Sequence, residues 1–415
     1  MSASLRATSL IFSALLLGSC GGSDAPDPAP SPAPSPAPAP SPAPSPAPQP
    51  NPGRVAEALP LTPSDWIKLT PRDTVVDGVQ LHPTCSNASG TEPTYEFYAR
   101  RGSGNGLMVF FGGGGACWDS ESCAQPTTGT EAANPGLFFA EIANDDPSRY
   151  GGVLNAADPA SPVRDWSMVY IPSCNGDLHT GSATTTYTRP ATGQPYAIEH
   201  RGADNVRVVT EWIKDNFAQP DQLFLLGSSA GGIGAILHYP RLRDAFPVAR
   251  AALMVEAGPT LMPEAFETRH RANWNMQIDP AVWGSQASTT RMADLLKPLT
   301  AHYPQDRFAQ YSAAADAILI DYFNKMANGV NSALDRATCE AWVEGIASQI
   351  ADNQSEPNYR SYLFNGNSHS IMGWPFTETT TPVAQWAGAM LSPSASGWAN
   401  VPCADCDKTA YCSAN

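Results

Sequence analysis

The hydrophobic pattern of the chain changes period repeatedly, in an order that predicts a sheet covered by helices. Residues 223–226, Leu-Phe-Leu-Leu, form an unbroken apolar run, as expected of a parallel central strand buried on both faces. Residues 166–171, 251–255 and 359–364 read as further strands. Residues 95–100 and 107–111, joined by the glycine-rich stretch 102–106, read as a β-hairpin. Residues 205–217 switch to the helical period, with Val206, Val209, Ile213 and Phe217 on one face, and predict an amphipathic helix against the sheet. Helix, strand, tight turn and helix in succession are the grammar of an α/β fold with a doubly wound, mostly parallel sheet. After the strand at 166–171, a Gly/Thr-rich stretch through Pro195 carries neither period and reads as irregular. Residues 260–357 read as mostly helical and are too many for a simple crossover, so part of them is expected to form a helical insertion or cap.

The folded part is expected to begin near Leu59. Residues 24–52 repeat Pro, Ala and Ser, cannot bury apolar surface, and are expected to lie as a solvated polyproline II tether within residues 20–58. At about 3.1 Å per residue such a tether spans several tens of ångströms. Ahead of it stand Arg6, an apolar run at 10–17 and Leu17-Gly-Ser-Cys20, which resembles a bacterial lipobox. Residues 1–19 then form a lipoprotein signal peptide and Cys20 is the lipidation site, whereas an ordinary secretory signal peptide is the alternative. The apolar run is shorter than the roughly 20 residues a membrane span needs, so contact with a membrane is expected through the lipid anchor only. Export follows from both readings, to the cell envelope or the medium.

A formal charge of −15, with 24 Lys+Arg against 39 Asp+Glu, disfavours a nucleic-acid partner. Apart from Cys20, eight cysteines remain: Cys85, Cys117, Cys123, Cys174, Cys339, Cys403, Cys406 and Cys412. An even number in an exported chain points to disulfides, and Cys117 with Cys123 is expected to close a short rigid loop. Cys403-x-x-Cys406 has the spacing of half a zinc site, but no matching Cys/His pair accompanies it.

The chemistry centres on Gly227-Ser-Ser-Ala-Gly231, between the strand at 223–226 and a following helix. In an α/β hydrolase the chain reverses here so that the serine hydroxyl stands above the sheet, which makes Ser229 the candidate nucleophile. A serine needs a base to take its proton and an acid to orient that base, in the order Ser, acid, His. Of the seven histidines, His369 lies in a loop just after the strand at 359–364, where the base belongs; His238 on the helix after the turn reads as structural, and His270 and His302 lie in the helical insertion. For the acid, helical spacing over 311–326 places Asp316 on one face with Leu319, Ile320 and Phe323, while Asp321 faces Lys325; Asp316 is favoured, with Asp321 and Asp306 as alternatives. Oxyanion donors are expected from Ala230, which follows the nucleophile, and from Gly114 and Gly115 in the loop Gly112-Gly-Gly-Gly115.

Phe110-Phe-Gly-Gly-Gly-Gly-Ala-Cys-Trp118 with Cys123 behind it, Ile171-Pro-Ser-Cys-Asn-Gly-Asp177, His200-Arg-Gly-Ala-Asp-Asn205, Gly227-Ser-Ser-Ala-Gly-Gly232 and Ser368-His369 together resemble the pectin acetylesterase/Notum family of serine hydrolases. The resemblance covers most of the chain from about residue 60, within a catalytic domain expected at 59–415. It implies an α/β-hydrolase fold, a triad of Ser229, Asp316 and His369, oxyanion donors Gly114, Gly115 and Ala230, no metal and no cofactor. Two positions depart from the family: Gly115-Ala-Cys117 lacks an aromatic residue before the cysteine, and Leu319 stands where a Gln usually follows the acid. The function implied is hydrolysis of carboxylic esters, here short acyl groups on an extracellular polysaccharide. A lipase-like carboxylesterase or polyester hydrolase on the same triad is the alternative, and a catalytically silent surface-binding lipoprotein is a third reading.

Overall fold

The computed structural model describes residues 51–128, 136–143, 145–285, 287–403 and 406–413. The expected signal peptide, Cys20 and nearly all of the tether lie outside these residues. Residues Gln49–Asn415 form one compact unit, and Val55 and Ala56, ahead of Leu59, are already fully buried. Its centre is a sheet of eight strands: β1 (Ile67–Leu69), β2 (Phe97–Arg100), β3 (Gly106–Phe111), β4 (Ser167–Ile171), β5 (Gln222–Ser228), β6 (Arg250–Glu256), β7 (Arg307–Ala313) and β8 (Tyr359–Phe364). Their order across the sheet is β1-β2-β4-β3-β5-β6-β7-β8, with β2 alone running against the others. Five longer helices accompany them: α1 (Gly202–Asn216), α2 (Ala230–Ala245), α3 (Ala317–Asn328), α4 (Arg336–Asn353) and α5 (Thr381–Leu391). This is an α/β-hydrolase fold, mostly parallel and covered by helices as the patterning predicts. Every residue from Leu223 to Leu226 is fully buried, which is why that stretch is uninterrupted by polar side chains.

The local readings differ from the structure in four places. β2 and β3 do not form a hairpin, because β4 lies between them, antiparallel to β2 and parallel to β3. The glycines of the connection serve close packing instead: a Cβ at Gly106 would run into the Trp166 indole, and one at Gly102 into the backbone of Asp165 and Trp166. Residues 260–357 are not all helical, since they supply β7, paired in parallel with β6 and β8. Helix α3 begins only at Ala317, so Asp316 caps a helix rather than riding on its face. The Gly/Thr-rich stretch is not irregular throughout, because Ala183–Thr188 and Pro195–His200 pair as an antiparallel ribbon. The expected insertion survives in part. Helices α3 and α4 build a second apolar cluster with Leu319, Ile320, Trp342, Val343 and Ile346, separate from the main core.

Four disulfides are present: Cys85–Cys174, Cys117–Cys123, Cys339–Cys412 and Cys403–Cys406. Cys117 and Cys123 pair as expected, and Cys403 and Cys406 bond to each other rather than standing as free zinc ligands. No helix among the described residues is long and apolar enough to cross a membrane.

Candidate active site

The C-terminal ends of β3, β5, β6, β7 and β8 meet along one edge of the sheet, where loops of such folds carry their sites. Ser229 follows β5 with φ 53° and ψ −125°, a left-handed backbone that a side-chain-bearing residue adopts only when its surroundings enforce it. They do: Ser229 N–H donates to Glu256 O (2.9 Å) and Ser229 O accepts from Gly232 N–H (2.8 Å). The reversal also needs backbone to lie on backbone, since a Cβ at Gly231 would strike the Phe111 carbonyl. Ser229 is partly exposed, whereas Ser228 is buried.

His369 comes from the loop after β8 and Asp316 from the turn between β7 and α3. Asp316 is fully buried; His369 Nδ1 lies 2.8 Å from its Oδ2 and 3.0 Å from its Oδ1. Asp316 Oδ1 also accepts from the amides of Ile318 (3.1 Å) and Leu319 (3.0 Å), which fixes the carboxylate as the N-cap of α3. A carboxylate only accepts, so Nδ1 carries the proton and neutral His369 keeps a lone pair on Nε2. The two alternative acids have other partners. Asp321 pairs with Lys325 on the surface of α3. Asp306 precedes β7, at the opposite end of the sheet, and is bound by Arg243 Nε (2.7 Å) and Tyr239 Oη (3.0 Å).

The loop after β3 is anchored at both ends, by Gly112 N–H to Ile171 O (2.9 Å) and Ala116 N–H to Leu137 O (3.1 Å). Between the anchors, Gly113, Gly114 and Gly115 border a cavity. Gly113 approaches the serine most closely, its Cβ position lying 3.6 Å from Ser229 Oγ, whereas those of Gly114 and Gly115 face Ser173 and the Leu137 carbonyl. The motifs around 171–177 and 200–205 form the floor under this loop. Asp177 accepts from the amides of His179 (3.1 Å) and Gly202 (2.8 Å), and holds Leu178 and His179 in left-handed conformations. His179 Nε2 then reaches Gly112 O (2.9 Å), and His238 Nε2 reaches His179 O (2.7 Å). A carbonyl only accepts, so both histidines donate from Nε2, and burial depresses their pKa values to about 4 and about 3. His238 is structural, as its place on α2 suggests, and sits one step behind the glycine loop.

Ser229 stands between two cavities. One, of about 30 Å³, is lined by Leu178, Leu261, Met262, Leu319, Phe323 and Met326, together with Gly115 and Ala230. The other, of about 590 Å³, is bordered by Gly113–Gly115, Ser229, His369 and a mixed polar and aromatic wall. The sequence model for pectinacetylesterase matches residues 74–313, more than half of the chain and including the elbow and the glycine loop. The chain belongs to the pectinacetylesterase family. Pectin acetylesterase 11 of Arabidopsis thaliana is 26% identical over 41% of this chain and 41% of its own length. Pectin acetylesterase 5 of the same plant is 25% identical over 48% and 43%, and the palmitoleoyl-protein carboxylesterase NOTUM of Schmidtea mediterranea 26% over 33% and 24%. The matched stretch thus spans less than half the length of each of these relatives.

Two residues outside the predicted set adjoin the site in this member of the pectinacetylesterase family: Glu256, which no sequence signal marks, and Gly113, which lies within the glycine loop. Glu256, at the end of β6, is fully buried and its Oε1 accepts from the amides of Ile371 and Met372, both at 2.5 Å. It ties the loop carrying His369 to the strand beside the elbow, and burial raises its pKa. Gly113, the inner neighbour of the predicted glycine pair, is the second. A Cys117/Cys123/His200 cluster has the closeness of metal ligands, but its sulfurs are joined in a disulfide and His200 Nδ1 lies against Asn175 O (3.0 Å), so the donors are not available to an ion.

Proposed function

We propose that this chain is an exported serine esterase that removes short acyl groups, acetyl above all, from an extracellular polysaccharide through an acyl-enzyme. The observation that carries this reading is the hydrogen-bonded His369–Asp316 pair, opening onto the cavity that borders the strained Ser229. In the first half-reaction Ser229 Oγ bonds to the ester carbonyl carbon while its proton passes to His369 Nε2. The developing oxyanion is held by the amides of Ala230, Gly114 and Gly115; a single such donor is worth about 10²–10³ in rate. Collapse breaks the ester C–O bond, the alcohol leaves with the proton from His369, and the acyl group stays on Ser229. Water then adds to the acyl carbon, giving its proton to His369, and the carboxylic acid departs as Ser229 is reprotonated. Asp316 keeps the imidazole in the Nδ1–H tautomer and stabilises the imidazolium.

The small apolar cavity, of about 30 Å³, supports a short acyl group. The names of the plant relatives point to acetyl esters, whereas the NOTUM relative keeps open a lipase-like reading on the same triad. Export and a lipid anchor at Cys20, with residues 20–58 as tether and 59–415 as catalytic domain, rest on the N-terminal sequence and agree with four disulfides. Hydrolysis of p-nitrophenyl acetate tests the triad. Ser229→Ala is expected to abolish turnover while Ser228→Ala retains it, and Asp316→Asn to lower kcat about 10⁴-fold while Asp321→Asn has little effect. Activity that survives Ser229→Ala, or that tracks Asp321, rules the assignment out.

A further inference from the structure

The larger cavity has a charge that the proposed reaction does not use. Its lining includes Glu141, Asp145 and Asp321, and among the described lining residues there is no Lys or Arg. Glu141 accepts from the amide of Glu92 (3.0 Å), and Asp321 is countered by Lys325, which does not line the cavity. Asp145 differs from both. It is only 4% exposed, its Oδ1 accepts from Tyr150 Oη (2.5 Å) and Tyr170 Oη (2.8 Å), and its Oδ2 has no hydrogen-bond partner among the described residues. A buried carboxylate with one satisfied and one vacant oxygen is costly unless a ligand donates to it. Arg149, in the same loop, is exposed and outside the lining. At the rim, Trp374 is 53% exposed and meets Tyr150 edge-on at 5.7 Å.

An aromatic face against which the C–H side of a pyranose can lie, beside a carboxylate that accepts from sugar hydroxyls, is a carbohydrate-binding combination. The same carboxylates, in a chain with net charge −15, repel a polyanion. Pectin is a polyuronate, one carboxylate on each unesterified sugar, and the described lining residues include no Lys or Arg to neutralise it. We infer that the larger cavity binds the alcohol portion of the ester, with Asp145 as a substrate-binding residue, and that it takes an uncharged acetylated polysaccharide and discriminates against a polyuronate.

The inference rests on the esterase reading, and the test separates the two. Acetylated pectin is prepared fully methyl-esterified and, from the same batch, enzymatically demethylated, so that acetyl content is equal and only backbone charge differs. Acetyl release is followed for both, for acetylated xylan, and for p-nitrophenyl acetate, at about pH 7.5, above the value near 6 to which burial raises Asp145. The expected result is kcat/KM about tenfold or more higher on the methyl-esterified polymer, xylan behaving like it, and a gap that narrows in about 0.5 M salt as screening shortens the field. Asp145→Asn is expected to raise KM for xylan about tenfold and to shrink the gap between the two pectins. Equal or faster release from the demethylated polymer overturns the inference, as does hydrolysis of p-nitrophenyl acetate with none of the polymers. Loss of p-nitrophenyl acetate hydrolysis as well overturns the esterase reading beneath it.

Discussion

Glu256 takes no part in the proton transfers, yet it holds two amides of the segment that follows His369. Truncation to Ala leaves those buried N–H groups unpaired, at about 1–3 kcal/mol, and frees the imidazole to wander; misplacement by about 1 Å costs about 10²-fold. Glu256→Gln keeps an acceptor at Oε1. Glu256→Ala is therefore expected to lower kcat for p-nitrophenyl acetate about 10²-fold with a lower Tm, and Glu256→Gln to stay near wild type in both. Equal damage from the two would assign the role to the charge instead. Ser229 and His369 are legible in the sequence because the elbow is written in adjacent small residues and the histidine follows a recognisable strand. Asp316 is legible for a different reason from the one that spacing suggests: its carboxylate is buried because it caps α3 and meets His369, not because a helical face turns inward. Glu256 and Asp145 carry no local signature, since each acquires its role from amides or hydroxyls far away or from a cavity wall.

Helix α3 lends Leu319, Phe323 and Met326 to the small cavity proposed to take the acyl group. Buried methylenes are worth about 0.8 kcal/mol each, a gain available only where there is space for them. Across p-nitrophenyl acetate, butyrate, octanoate and palmitate, kcat/KM is expected to fall beyond butyrate, and Met326→Ala to move the optimum toward octanoate. A wild-type optimum at octanoate or palmitate would favour the lipase-like reading. Among the elements, β5 and α1 are readable because one is apolar on both faces and the other on one. β7 is not, because its polar Gln310 and Ser312 are buried: Gln310 Oε1 accepts from Tyr359 Oη (2.9 Å) and its Nε2 reaches Thr260 Oγ1 (3.3 Å), which erases the two-residue alternation. The β2–β3 connection misleads in a similar way, because glycine admits a packed Trp166 as readily as a turn.

At the scale of the whole molecule, two sets of buried groups pull stability in opposite directions with pH. Burial raises Glu256, and it raises Asp145 to about 6 and Asp177 to about 7, so the native state keeps protons that the unfolded chain releases; the contribution of the two aspartates is lost as pH rises from about 4 toward 7. Burial depresses His179 and His200 to about 4 and His238 to about 3, so their contribution is present above about 6.5 and lost as pH falls below it. The slopes overlap and offset between about pH 4.5 and 6, where Tm is expected to stay nearly flat; between about 6.5 and 7.5 only the carboxyl slope remains and Tm is expected to decline. Calorimetry over that range checks it, and a Tm that climbs from pH 6.5 to 7.5 contradicts neutral buried carboxyls. The central claim, that Ser229 is the nucleophile of a serine esterase, is tested most directly by fluorophosphonate labelling of the folded protein followed by peptide mapping. One adduct on Ser229, lost in Ser229→Ala and retained in Ser228→Ala, is the predicted result; no adduct, or one on Ser228 or any other residue, would contradict the account.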